Sequence, residues 1–173
     1  LPDTRSESCR AGDGWTWDGV RFEILHPPPG YRGSDNNASC VLRIQSRGGV
    51  VLLPGDIENA LERALVLDGT DLAADVVVAP HHGSATSSSR PFVSATDPDW
   101  VVFASGYRNR WRFPRNDVVE RWTSVGAKRA DTARGGAFMF AFRPGHAGVQ
   151  VTAWRCLSRR FWRYRECDRN RSR

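Results

Sequence analysis

Two short apolar runs, residues 50–53 and 76–79, constrain this chain more than any other feature. Both are rich in Val and Leu and lack polar alternation, so they read as buried strands rather than half-exposed ones. Each stops at Pro or Gly and then delivers polar groups. The first leads into Pro54-Gly55-Asp56, the second into Pro80-His81-His82-Gly83-Ser84. Residues 57–67 between them read as a helix, with Ile57, Leu61 and Leu65 on one stripe. If the strands are neighbours, Asp56 and the histidines open onto one sheet edge, where α/β proteins tend to keep their chemistry. A carboxylate and imidazoles converging there suit Zn²⁺ or Mn²⁺. A plainer reading stands beside it: Asp56 caps the following helix, and the histidines are structural. The hydroxyl-rich stretch Thr86–Ser89 suits phosphate oxygens.

The flanking sequence extends this layout. Asp18-Gly19 predicts a hairpin turn between 15–17 and 20–25, and Gly48-Gly49 a second one between 39–45 and 50–53. The intervening segment to Asn37 reads as a polar loop. A short helix is predicted over 91–96 and a buried strand over 100–104, ending in a third polar loop, Ser105-Gly106-Tyr107-Arg108-Asn109-Arg110. Residues 116–125 read as a helix capped by Asn116 and stopped by Gly126. A short strand at 128–132 and an antiparallel pair, 136–142 with 149–154, complete a mixed α/β layout. The organisation read from this is a domain over 1–154 and a basic aromatic tail over 155–173, with room for a short helix around Phe161, Trp162 and Tyr164.

At 173 residues and 40% hydrophobic content, the chain is one domain or part of one. It has no run of 18 apolar residues, and its polar start lacks a signal-peptide pattern, as expected for a cut inside a longer protein. The formal charge is +6 and Lys128 is the single lysine, so the surplus is arginine. One group comprises Arg108, Arg110, Arg112, Arg115 and Arg121; another fills the tail. Basic clusters interleaved with aromatics suit a nucleic-acid backbone and its bases, although a charged C-terminal run is also simply a solvated tail. The cysteines, Cys9, Cys40, Cys156 and Cys167, contain no C-x-x-C. Two disulfides, Cys9–Cys40 and Cys156–Cys167, are the simplest pairing; four free thiols are the alternative.

The segments Cys9–Pro27, Asn37–Ile44, Leu53–Glu58, Pro80–Ser84 with Ser87-Ser88, and Ser105–Arg110 together resemble the ComEC family of DNA-internalisation competence proteins. The resemblance implies the carboxy-terminal part of a metallo-β-lactamase-like domain: a partial sandwich with a mixed, mostly antiparallel sheet and outer helices, holding one or two metals. It implies a soluble, periplasm-facing domain of an inner-membrane protein that passes one DNA strand inward while this domain degrades the other. Its partners would be single- or double-stranded DNA and the transmembrane portion of the same protein. Carried over by motif, Asp56 and His81 would bind Mn²⁺ or Zn²⁺. His81 and His82 would be catalytic. Ser84, Arg108, Asn109, Arg110, Trp111 and Arg115 would meet substrate.

Two departures stand out. The superfamily's principal His-x-His-x-Asp-His motif is absent from these residues, and Phe113-Pro114-Arg115 replaces the His-Pro-His of many relatives. In the favoured reading, metal lowers the pKa of a bound water toward ~7 for in-line attack on phosphorus. His82 or His81 would then protonate the leaving oxygen. Two or three ligands fall short of the four a Zn²⁺ site wants, so these residues alone should bind metal weakly or not at all. A non-catalytic DNA-binding module and a hydrolase of small esters are the alternatives.

Overall fold

The computed structural model describes residues 7–33, 36–145 and 148–158. His146, most of the tail and Cys167 lie outside them, as does the helix expected near Phe161. Seven strands form one sheet in chain order: β1 (Gly14–Trp17), β2 (Val20–His26), β3 (Val41–Ser46), β4 (Gly49–Leu53), β5 (Val76–Val78), β6 (Trp100–Phe103) and β7 (Lys128–Asp131). The first four are antiparallel hairpins; β4 to β7 run parallel. The parallel strands are joined by α1 (Asn59–Leu67), α2 (Arg90–Thr96) and α3 (Asn116–Ser124). A four-residue helix, α4 (Thr132–Gly135), follows β7. A separate hairpin, β8 (Phe138–Ala141) with β9 (Gln150–Ala153), ends in α5 (Trp154–Leu157). The fold is thus the expected mixed α/β arrangement.

Register explains why β4–β6 lack alternation. Leu52, Val77, Val101 and Phe103 point to the helical side, where they pack with Ile57, Leu61, Leu65, Phe92, Val118 and Trp122. Val51, Val76, Val78 and Val102 point to the other side, under Phe138, Phe140 and Phe142 of the β8–β9 unit. Parallel strands covered on both faces must be apolar at every position. Among the described residues, the β8–β9 unit packs on this half of the sheet. Trp15, Phe22, Ile44 and Val51 share its face by pairing, yet Trp15 and Trp17 are exposed.

Boundaries differ from expectation where side chains redirect the backbone. The first helix starts at Asn59, after an extended Glu58; the N–H groups of Asp56 and Glu58 before it are bonded to Ser39 Oγ (3.1 Å) and Asn37 Oδ1 (2.8 Å). Asn37 and Ser39 belong to a 3-10 turn, Asn36–Ala38, and its exit, where the sequence predicts only a polar loop. The N-cap is Glu58, without a side-chain bond, so Asp56 is not a helix cap. Asn116 is the first helical residue of α3 rather than its cap.

Cys9 and Cys40 form a disulfide with a Cα–Cα distance of 5.9 Å and a separation of 31 residues, tying the N-terminal segment to the start of β3. Closing a loop of that size removes unfolded-chain entropy equivalent to about 3–4 kcal/mol. The double variant Cys9→Ser/Cys40→Ser is expected to lose that much stability in urea unfolding, with a larger m-value because the unfolded chain expands; equal midpoints would refute it.

Candidate active site

Two turns at the C-terminal ends of β4 and β5 build the site. Leaving β4, the chain passes Gly55 at φ +64°, where an added Cβ would lie 2.7 Å from Ser39 Cβ. Only glycine fits that close approach, and it sends Asp56 to the sheet edge. After β5, Pro80–Gly83 forms a tight turn with His81 at φ 47° and His82 at φ 56°. Two successive non-glycine residues in the left-handed region cost of order 1–3 kcal/mol each, a strain that clusters at functional sites. Gly83 continues the turn at φ +82°, and a Cβ there would meet Pro114 Cβ at 2.7 Å and Phe103 Cδ1 at 2.9 Å. Gly83→Ala combines strain with a clash against a buried ring. A loss of about 2–4 kcal/mol is expected in chemical denaturation, and a loss under about 1 kcal/mol would show that the turn yields.

The turns set up two acid–imidazole pairs. His82 Nε2 lies 3.6 Å from Asp56 Oδ1, with both side chains nearly half exposed. His82 Nδ1 lies 2.8 Å from the Ala104 carbonyl. A carbonyl only accepts, so Nδ1 carries a proton, and Nε2 is the ring nitrogen that faces Asp56. His81 Nδ1 is 3.4 Å from Glu58 Oε1. That separation is an electrostatic contact without hydrogen-bond alignment, since Nδ1 is buried with no aligned partner. Glu58 Oε1 is held in turn by Thr86 Oγ1 (2.8 Å) and Asn36 Nδ2 (3.3 Å). The edge thus brings together Asp56, His81 and His82, and adds Glu58, which the sequence pattern does not single out.

The serine loop faces inward. Ser84 is buried and its hydroxyl sits 3.2 Å from Thr86 Oγ1. Ser87 Oγ donates to the Pro80 and Ser84 carbonyls. The Ser88 and Ser89 N–H groups donate to the fully buried Glu62 carboxylate (2.5 and 2.6 Å). Arg121 donates to the Ser87 and Ser88 carbonyls. The stretch expected to meet phosphate is therefore occupied in shaping the turn below His82; of its hydroxyl residues, Thr86 remains exposed. Burial pushes the Glu62 carboxyl above its ordinary range, against the pull of the Ser88 and Ser89 donors and Arg121. On the far side of the β2 end, burial lowers the His26 imidazole, whose Nε2 lies 2.9 Å from the Asn37 carbonyl.

The third polar loop closes the edge. Asn109 staples it internally: Nδ2 donates to the Gly106 and Phe113 carbonyls, and Oδ1 accepts from Phe113 N–H (2.8 Å). Phe113 stands edge-on to His81 at 5.9 Å and stacks with exposed Trp111. The Arg110 guanidinium lies 4.3 Å above the Trp111 ring, and that of Arg108 lies 5.3 Å from Tyr107. Arg115 is exposed, and its N–H donates to the Gly83 carbonyl, binding this loop to the histidine turn.

Among the described residues no group of three or more His, Cys, Asp or Glu side chains is arranged to hold a metal. Asp56 Oδ1 and His82 Nε2 do fit as two converging donors. The Ala104 carbonyl behind His82 is the kind of outer partner that fixes a ligating imidazole. Among the described residues no helix is long and apolar enough to cross a membrane.

No family model matches the chain. It is similar to competence protein ComA of Neisseria gonorrhoeae, 40% identical over 138 residues, covering 79% of this chain and 20% of the relative. Recombination protein 2 of Haemophilus influenzae is 39% identical over 113 residues, 65% of this chain and 14% of that protein. ComE operon protein 3 of Bacillus subtilis is 26% identical over 137 residues, 79% of this chain and 18% of that protein. The chain thus spans at most a fifth of these relatives. The matched stretch is shared by proteins from three organisms, and the chain belongs to the ComEC family of competence proteins, carrying a ComEC-like domain.

Proposed function

We propose that this domain cleaves one strand of incoming DNA during uptake, as a metal-dependent phosphodiesterase on the periplasmic face of the inner membrane. The observation that carries this reading is the Asp56–His82 pair, two donors converging at 3.6 Å on a strained turn beside an arginine-rich loop. Asp56 and His82 would hold Zn²⁺ or Mn²⁺ together with ligands from outside this chain. Such an ion supplies Lewis acidity and a nucleophile active near neutral pH. The Ala104 carbonyl orients the His82 ring through Nδ1, and the Glu58 carboxylate lies 3.4 Å from His81 Nδ1. His81 would donate a proton to a leaving oxygen. Arg110 and Arg115, both exposed, would neutralise phosphates, and exposed Trp111 would stack on a base. The uncovered Trp15–Trp17 face of the sheet is where the other layer of a metallo-β-lactamase-like sandwich would pack.

The test is cleavage of labelled DNA by the protein that carries this domain, with Mn²⁺, Zn²⁺ or EDTA. Cleavage that depends on metal supports the reading. A second reading, a DNA-binding module without catalysis, is favoured by Phe113, not an imidazole, beside His81. Salt-sensitive DNA retention with no cleavage under any metal selects it.

A further inference from the structure

A basic pocket lies next to the histidine edge, between the loop 106–114 and the β7–α4 turn, with a volume of about 470 Å³. We propose that it is a phosphate-binding subsite for the nucleic-acid strand, built by Arg108 and Arg112 on one wall and Arg129 and Arg134 on the other. The proposal rests on the nucleic-acid reading above and adds to it a second wall from a distant stretch of sequence.

Among the described residues that line this concavity are four arginines and one carboxylate, Asp131. That carboxylate is buried and engaged. Its Oδ1 accepts the Ala133 N–H at 2.9 Å, and its Oδ2 lies 2.6 Å from Arg129 and 3.7 Å from Arg134. Asp131 thus fixes where Arg129 and Arg134 leave the β7–α4 turn. On the opposite wall, Arg108 and Arg112 both adopt left-handed φ, 52° and 58°. The Asn109 staple between them holds that unfavourable backbone. Strain at two arginines facing two more places positive charge in a concavity, where it is less screened than on a convex surface. A phosphodiester answers this fork geometry, since its oxygens accept paired N–H donors. The volume suits a nucleotide unit. Phe113 is shared: it lines the pocket and stands against His81. A strand held in the pocket therefore runs on to the histidine edge.

The test measures binding of a short single-stranded oligonucleotide to the full chain in EDTA, by anisotropy across a salt series. Arg112→Gln/Arg134→Gln is compared with Arg47→Gln/Arg63→Gln, exposed arginines outside the pocket that give the same change in charge. The pocket pair is expected to weaken binding about tenfold and to flatten the salt slope by about 0.7 for each phosphate that is no longer neutralised. The control pair should change little. Equal weakening by the two pairs would overturn the subsite and leave only general electrostatic attraction. A second measurement is independent of folding of the variants: bound oligonucleotide should slow phenylglyoxal modification of Arg112 and Arg134 more than of Arg47, and equal rates would overturn it too. Failure of the cleavage reading is separable, because it would leave the pocket effect in EDTA intact.

Discussion

Asp56→Ala is expected to lower metal-dependent DNA cleavage by about 10³-fold or more in the protein that carries this domain. The variant removes one of the two donors that converge on the edge, and no other described carboxylate is paired with His82. The fold should tolerate the change. Asp56 is nearly half exposed, its side chain caps no helix, and its backbone N–H bond to Ser39 Oγ survives the substitution. Stability should therefore shift by no more than about 1 kcal/mol, while oligonucleotide binding in EDTA stays near wild type. That combination separates a missing donor from a damaged structure. Cleavage within about tenfold of wild type would remove Asp56 from the chemistry.

Glu62→Ala is expected to destabilise the domain by about 2–5 kcal/mol. It strips the acceptor from two buried N–H groups, those of Ser88 and Ser89, and removes a negative charge from the neighbourhood of Arg121. Because those groups shape the turn below His82, the change should also loosen the histidine edge. Glu62→Gln keeps one acceptor oxygen for these N–H groups and at acidic pH should cost far less than Ala. The pH dependence has a definite sign. Burial raises the folded-state value above the ordinary 4.5, so the folded protein holds this proton more tightly than the unfolded chain. The stabilisation is complete below about 4.5 and is lost as pH rises through the raised value. Urea midpoints of wild type and Glu62→Gln should therefore converge on acidification and separate above it, with Gln lacking the decline. Parallel pH profiles would show that Glu62 does not titrate with folding.

Much of this site is legible from residue pattern. Non-alternating valines mark strands covered on both faces, and the Pro and Gly stops mark where polar groups emerge. Asp56, His81 and His82 accordingly reach one edge. Other features are hidden because the signal lies in partners far along the chain. Glu58 looks like any acid near a helix start, and only the 3-10 turn at Asn36–Ala38 reveals why it stands beside His81. Glu62 sits in an amphipathic helix where acids normally face water; its burial comes from a loop 26 residues later. The serines mislead for the same reason: hydroxyl-rich composition says nothing about which way a loop turns. Arg129 and Arg134 cannot be joined to Arg108 and Arg112 without knowing that β7 lies beside β6.

The seven strands lie in the order in which a ribosome makes them. Each needs only its predecessor as a template, and even the longest parallel crossover joins residues about thirty positions apart. The sheet can grow outward from the β1–β2 hairpin during synthesis, with no early strand waiting unpaired for a late one. A premature stop would then leave a shorter sheet that is correctly paired as far as it goes. The histidine edge is complete only once the loop after β6 has been made, since Ala104 holds His82 and Phe113 stands against His81.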